Sequence, residues 1–288
     1  MDGYAHVGDD SPLPAAAGGE SPGPLGLADF RRRRREETPL VCLTAYDATF
    51  ARLVDAAGAD LVLVGDSLGM VVQGHDSTVP VSMDDMVYHT RLVARGLRRA
   101  YLVADMPFAS YDTPERAVRN AARLLQEGGA RMVKLESTRR QEEIVRVLGD
   151  EGIPVCAHLG LRPQSVYKTG GFRVAGRKAE ERRRIEEDAA RLAEAGADLL
   201  LLECVPADLA AAVTRASSVP VIGIGAGPGV DGQILVLYDV LGLSAGHRPR
   251  FAKDYLALAG GSVARALDLY VREVRGKIYP GSEHIYRD

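Results

Sequence analysis

The chain has no apolar run near the roughly 18 residues that a membrane helix needs, no C-x-x-C pair, and little net charge. Each absence excludes something. Without a long apolar run a transmembrane anchor is not expected. A formal charge of −3 over 288 residues gives no field to attract nucleic acid or an anionic membrane. The three cysteines, Cys42, Cys156 and Cys204, are odd in number, and each lies in or at the end of an apolar run. That is the pattern of small buried hydrophobes in a reducing compartment, so a cytoplasmic location is expected. The first residues lack the basic start and apolar core of a secretory signal. Residues 1–26, rich in Gly, Pro, Ala and Asp, read as a disordered tail. Five arginines follow at 31–35, then Glu36 and Glu37, and read as a solvated first helix rather than a nucleic-acid patch.

What remains is a chain with 46% hydrophobic residues, enough for a large core. PLVCLTA (39–45), DLVLVGD (60–66), AYLVAD (100–105), RMVKLE (131–136), IPVCAH (153–158), DLLLLE (198–203), VPVIGIG (219–225) and QILVLYD (233–239) are short apolar runs. Helix-like segments such as 115–129 and 182–196 alternate with most of them. Near-continuous apolar strands separated by amphipathic helices predict a parallel sheet buried on both faces. The lead-in AGADLVLV at 57–64 recurs as AGADLLLL at 195–202, each a helix stopped by Gly and followed at once by a strand. Eight strands in about 250 residues match a (β/α)8 barrel in residues 27–288, with an open doubly wound sheet as the alternative. GPGVDG (227–232) satisfies G-x-G-x-x-G, but a strand rather than a helix is expected after it, which argues against dinucleotide binding.

The chemistry is concentrated at the ends of the strands. Asp66, Asp105, Glu136, His158 and Glu203 stand at or beside the C-terminal ends of five consecutive runs. A closed barrel would bring these ends to one mouth, where four carboxylates repel unless a cation or proton intervenes. Lys134 lies two residues before Glu136 and shares its face of the strand; it either pairs with an acid or is functional. Carboxylate oxygens suit a hard divalent cation, Mg²⁺ more than Zn²⁺. Two long connections, 67–85 and 159–181, follow the second and fifth strands on the same side and are candidates for a lid.

LTAYDATFARLVDAAGAD, VGDSLGMVVQGHDST, DMPFASY, VKLE, AHLGLRPQSV, GGFRVAGR, LLLLECVP and IGIGAGPGVDGQILV, in this order, resemble the ketopantoate hydroxymethyltransferase family. The resemblance implies a (β/α)8 TIM barrel of the phosphoenolpyruvate/isocitrate lyase-like group. It implies transfer of a hydroxymethyl group from 5,10-methylenetetrahydrofolate to 3-methyl-2-oxobutanoate, giving 2-dehydropantoate, the first committed step towards pantothenate and coenzyme A. By the same resemblance Asp66, Asp105 and Glu136 would serve Mg²⁺. Asp66, Ser67, Asp105 and Lys134 would contact the keto acid with His158 nearby, and Glu203 would be the proton acceptor. A homo-oligomer, a decamer, is also implied. Phe172 and Ala175 depart from the residues common in the family, both in the long loop after the fifth strand. Rival readings are a carbon–carbon lyase on the same barrel, whose usual K-K-C-G-H loop has no match here, and a non-catalytic metabolite-binding barrel.

Overall fold

The computed structural model describes residues 23–244 and 248–287. Eight strands, β1 (Leu40–Thr44), β2 (Leu61–Val64), β3 (Tyr101–Asp105), β4 (Met132–Glu136), β5 (Val155–Gly160), β6 (Leu199–Glu203), β7 (Val221–Ile224) and β8 (Gly232–Leu235), close in sequence order into an all-parallel barrel. Six predicted runs contain their strand whole, while β5 runs two residues past its run to Gly160 and β8 begins one residue before its own at Gly232. Nearly all strand residues are buried, as expected when side chains fill the barrel inside and helices cover it outside. The amphipathic segments form helices Pro114–Gln126, Ala179–Glu194 and Val263–Arg275. No helix among the described residues is long and apolar enough to cross a membrane.

The AGAD repeat has a physical basis. Gly58 (φ +95°) and Gly196 (φ +109°) adopt the left-handed conformation that lets a helix end and a strand begin within two residues. The aspartate that follows caps the start of the neighbouring strand: Asp60 Oδ2 accepts from the Val41 N–H at 2.9 Å, and Asp198 Oδ2 from the Val155 N–H at 3.2 Å.

Three sequence expectations shift. The tail was expected to reach residue 26, but Leu25 is buried, donates its N–H to the Arg99 carbonyl, and accepts from Arg131. Residues 1–22 lie outside the described residues. The arginine run does form a helix, Leu27–Arg35, but not all of it is solvated. Arg33 pairs with the wholly buried Asp60 at 2.9 Å, which also meets Arg99 and Arg275. Arg34 donates to the carbonyls of Thr214, Ser217 and Val219. Finally, β8 ends at Leu235 and the rest of its predicted run turns into the short helix Leu237–Val240. The glycine-rich segment 227–232 does lead into this strand.

Candidate active site

Strand register places the polar ends in order around the mouth. Asp105 on β3 is level with Lys134 on β4, Glu136 on β4 with His158 on β5, and Gly160 on β5 with Glu203 on β6. Asp66 follows β2 and is tied to its neighbour: its backbone N–H donates to Asp105 Oδ2 at 2.9 Å. The intervening turn must be tight, because a Cβ on Gly65 would stand 2.7 Å from Ser67 Oγ. Gly160 performs a similar service for Glu203. It adopts φ +94°, and a side chain there would strike the Glu203 carbonyl, which accepts from the Leu161 N–H at 2.8 Å.

The side chains form a connected row. Lys134 Nζ lies 2.6 Å from Asp105 Oδ1 and 3.4 Å from His158 Nδ1, and His158 Nε2 lies 3.2 Å from Glu203 Oε2. The ammonium can only donate, so Nδ1 accepts and the ring proton sits on Nε2, facing Glu203. The Nε2–Glu203 approach falls short of hydrogen-bond geometry, which leaves Nε2 without a formed bond. Burial, reinforced by the charge of Lys134, pushes the His158 pKa well below the ordinary value. The imidazole is therefore neutral, and its contact with Glu203 is not a salt bridge.

Burial dominates the acids as well. It raises Glu203 to about 7, only partly opposed by Lys134. It raises Glu136 to about 8 despite the amide that donates to it. Asp66 reaches about 7 through burial and the adjacent Asp105. Burial also works against the charge of Lys134, but Asp105 and Asp66 outweigh it and hold the ammonium above the usual lysine range. Of the two readings left open for Lys134, the pairing with an acid is present, with Asp105 as the partner.

Residues without charge complete the site; Ser67 was expected there from the resemblance, whereas sequence reasoning did not single out Gln164, Tyr111 or Tyr46. Gln164, buried in the first turn after β5, donates Nε2 to Asp66 Oδ2 at 2.7 Å and to the Met106 carbonyl at 3.0 Å. Its backbone N–H donates to Glu136 Oε1 at 2.7 Å, and its Oε1 accepts from the Tyr111 hydroxyl at 2.6 Å. One residue thereby joins Asp66, through its side-chain amide, to Glu136, through its backbone N–H. Ser67 Oγ is 2.9 Å from the hydroxyl of Tyr46. The one available signal for Gln164 was its place in a long loop on the mouth side. The two long loops also touch, Ser77 Oγ to Tyr167 Oη at 3.1 Å.

Four carboxylates face a single ammonium here, and Asp105 Oδ1 has no formed hydrogen bond beyond its ionic contact. A hard divalent cation matches that donor set and that excess of negative charge. Among the described residues no group of three or more Asp, Glu, His or Cys side chains is arranged to hold a metal ion unaided. Water and substrate oxygens would complete the shell, as is usual for Mg²⁺.

Residues 25–282 match the family model described as ketopantoate hydroxymethyltransferase. The 3-methyl-2-oxobutanoate hydroxymethyltransferase of Halorhodospira halophila (strain DSM 244 / SL1) is 56% identical over 264 residues, covering 92% of this chain and 95% of that protein. The protein of the same name from Stenotrophomonas maltophilia (strain R551-3) is 58% identical over 264 residues, covering 91% and 96%. Among solved structures, phosphonopyruvate hydrolase superposes with a TM-score of 0.58 at 15% identity, covering 89% of this chain and 92% of that one. A 2,3-dimethylmalate lyase of the PEP mutase/isocitrate lyase superfamily superposes at 0.53 and 20% identity, covering 73% and 80%. At these identities the structural likeness establishes the barrel and nothing about its chemistry.

Proposed function

Because the chain belongs to the ketopantoate hydroxymethyltransferase family, we propose a division of labour among its residues for the transfer of a hydroxymethyl group to 3-methyl-2-oxobutanoate. The observation that carries it is the row Asp105–Lys134–His158–Glu203, which ends on a carboxylate raised to about 7.

Glu203 removes the C3 proton of the keto acid. An ordinary carboxylate is too weak a base for this carbon acid; one raised towards neutrality by burial is better matched and is still ionised at working pH. Neutral His158 stands between Glu203 and Lys134, its Nε2 3.2 Å from the carboxylate and the ring placing no positive charge beside it. Lys134, held cationic by Asp105, offsets the negative charge of the enolate. Ser67, positioned by Tyr46, binds the substrate carboxylate. Asp66, Asp105 and Glu136 would hold Mg²⁺, with Gln164 fixing two of the three. When bound, the ion supplies Lewis acidity that stabilises charge on the keto oxygen. The nucleophilic C3 then forms a bond to the methylene carbon of 5,10-methylenetetrahydrofolate as the bond from that carbon to one folate nitrogen breaks and the nitrogen takes up a proton, with the loops 67–85 and 159–181 shielding the enolate from bulk solvent. One water molecule then replaces the second nitrogen, leaving CH2OH on C3 and releasing tetrahydrofolate. The same reading carries a cytoplasmic homo-oligomer, a decamer.

The test is a direct assay of the purified protein with 3-methyl-2-oxobutanoate and 5,10-methylenetetrahydrofolate, with and without Mg²⁺. Metal-dependent 2-dehydropantoate is the expected product. Cleavage of a 2-oxo acid without one-carbon transfer would refute the assignment.

A further inference from the structure

Beside the mouth, outside the carboxylate cluster, lies a cavity of about 300 Å³ formed by Pro107–Ser110 after β3, by Ser82 and Met83 at the start of a helix, and by Arg116 and Arg119. Three of its features are unfavourable for the protein alone, and a fourth leaves a solvated cation at its rim. Phe108 leaves half of its aromatic surface in solvent. Ala109 adopts φ +58°, a left-handed conformation disfavoured for a residue with a Cβ. Ser110 is buried, yet its hydroxyl has no hydrogen-bond partner among the described residues. Arg119 has no ion pair among the described residues, whereas Arg116, one turn away, is held by Asp112 at 3.2 Å.

One kind of ligand matches the two accessible side chains, Phe108 and Arg119. Phe108 offers a face for an aromatic ring and Arg119 a cation for a carboxylate. Building on the function proposed above, we infer that this cavity binds the aryl-glutamate tail of the folate co-substrate. That tail is an arene joined through an amide to a carboxylate-bearing residue. Phe108 is three residues beyond Asp105, at most about 11 Å along an extended chain, so one elongated ligand can occupy the cavity and still reach the acids with its other end.

The experiment uses the full-length enzyme with Phe108→Ala, Arg119→Ala and, as the milder change at an exposed helix position, Arg119→Gln. The KM for 5,10-methylenetetrahydrofolate should rise roughly ten- to a hundredfold, the loss expected of one charged contact or one aromatic anchor. Exchange of the C3 proton of 3-methyl-2-oxobutanoate with D₂O, followed by NMR without folate, should keep its rate. A co-substrate lacking the glutamate should be insensitive to the Arg119 changes but still sensitive to Phe108→Ala. An unchanged folate KM in all three variants would overturn the inference. So would an equal Arg119 penalty with the truncated co-substrate, or a change of oligomeric size with no change in KM. Failure of the wild-type protein to exchange the C3 proton would count against the proposed function and not against the cavity.

Discussion

Replacing Glu203 with Gln separates the base from the scaffold that holds it. The carboxylate is largely buried and raised from an ordinary 4.5 to about 7. Gln keeps the shape of the side chain but cannot ionise. In the folded protein Glu203 retains its proton up to about pH 7, and in the unfolded chain only to about 4.5. The folded state therefore binds more protons across this window, and stability is lost as pH rises through it. Above pH 7 the loss is complete and amounts to at most about 3 kcal/mol. Glu203→Gln should thus be more stable than wild type at pH 8 by up to that amount, and equal to it near pH 4. Urea unfolding of both proteins in the presence of a chelator, at several pH values, reads this difference directly. In parallel, wild-type exchange of the substrate C3 proton should rise about tenfold per pH unit below 7 and level off above it, while the variant should show none. A stability gain that is the same at pH 4 and pH 8 would mean that ionisation is not its source. Undiminished exchange in the variant would remove Glu203 from the role of base.

Other perturbations test the rest of the cluster. Lys134→Met removes the partner of a buried carboxylate, which lies 2.6 Å from the ammonium, and should cost about 3–5 kcal/mol at pH 8; denaturant midpoints of the two proteins check this. Asp105→Ala should weaken Mg²⁺ binding measured by calorimetry, and EDTA should abolish C3 exchange in the wild type until Mg²⁺ is restored. Unaltered metal affinity would exclude Asp105 as a ligand. Gln164→Glu places a carboxylate where an amide donates to Asp66 Oδ2 at 2.7 Å. The like charges should weaken Mg²⁺ binding at neutral pH, a loss that Gln164→Asn would share only in part; identical titrations for wild type and both variants would deny Gln164 its positioning role.

The fold was largely legible in the chain because its determinants are local. Alternation of apolar runs with amphipathic helices, and the glycine in each AGAD lead-in, depend on residues close in sequence, and all eight strands overlap the predicted runs, with β5 and β8 overstepping theirs by one or two residues. The candidate acids were legible for a related reason: a carboxylate at the end of a buried run stands out wherever the run leads. Pairings between distant residues could not be read this way. Gln164 carries no charge and lies 98 residues from Asp66, so only closure of the barrel reveals that it joins Asp66 to Glu136. Arg33 and Arg34 look like any other members of a basic run until the barrel floor presents Asp60 and a set of carbonyls to them.

Charge state belongs to the same class. The sequence by itself determined which residue types would gather at the mouth, since strand length and the two-residue alternation set where each side chain points. The tertiary structure alone decided that His158 is neutral, that Lys134 stays cationic, and that Glu203 titrates near neutrality. A pKa measures the solvent lost and the charges gained around a group, and in a barrel both are supplied by strands that are remote from one another along the chain.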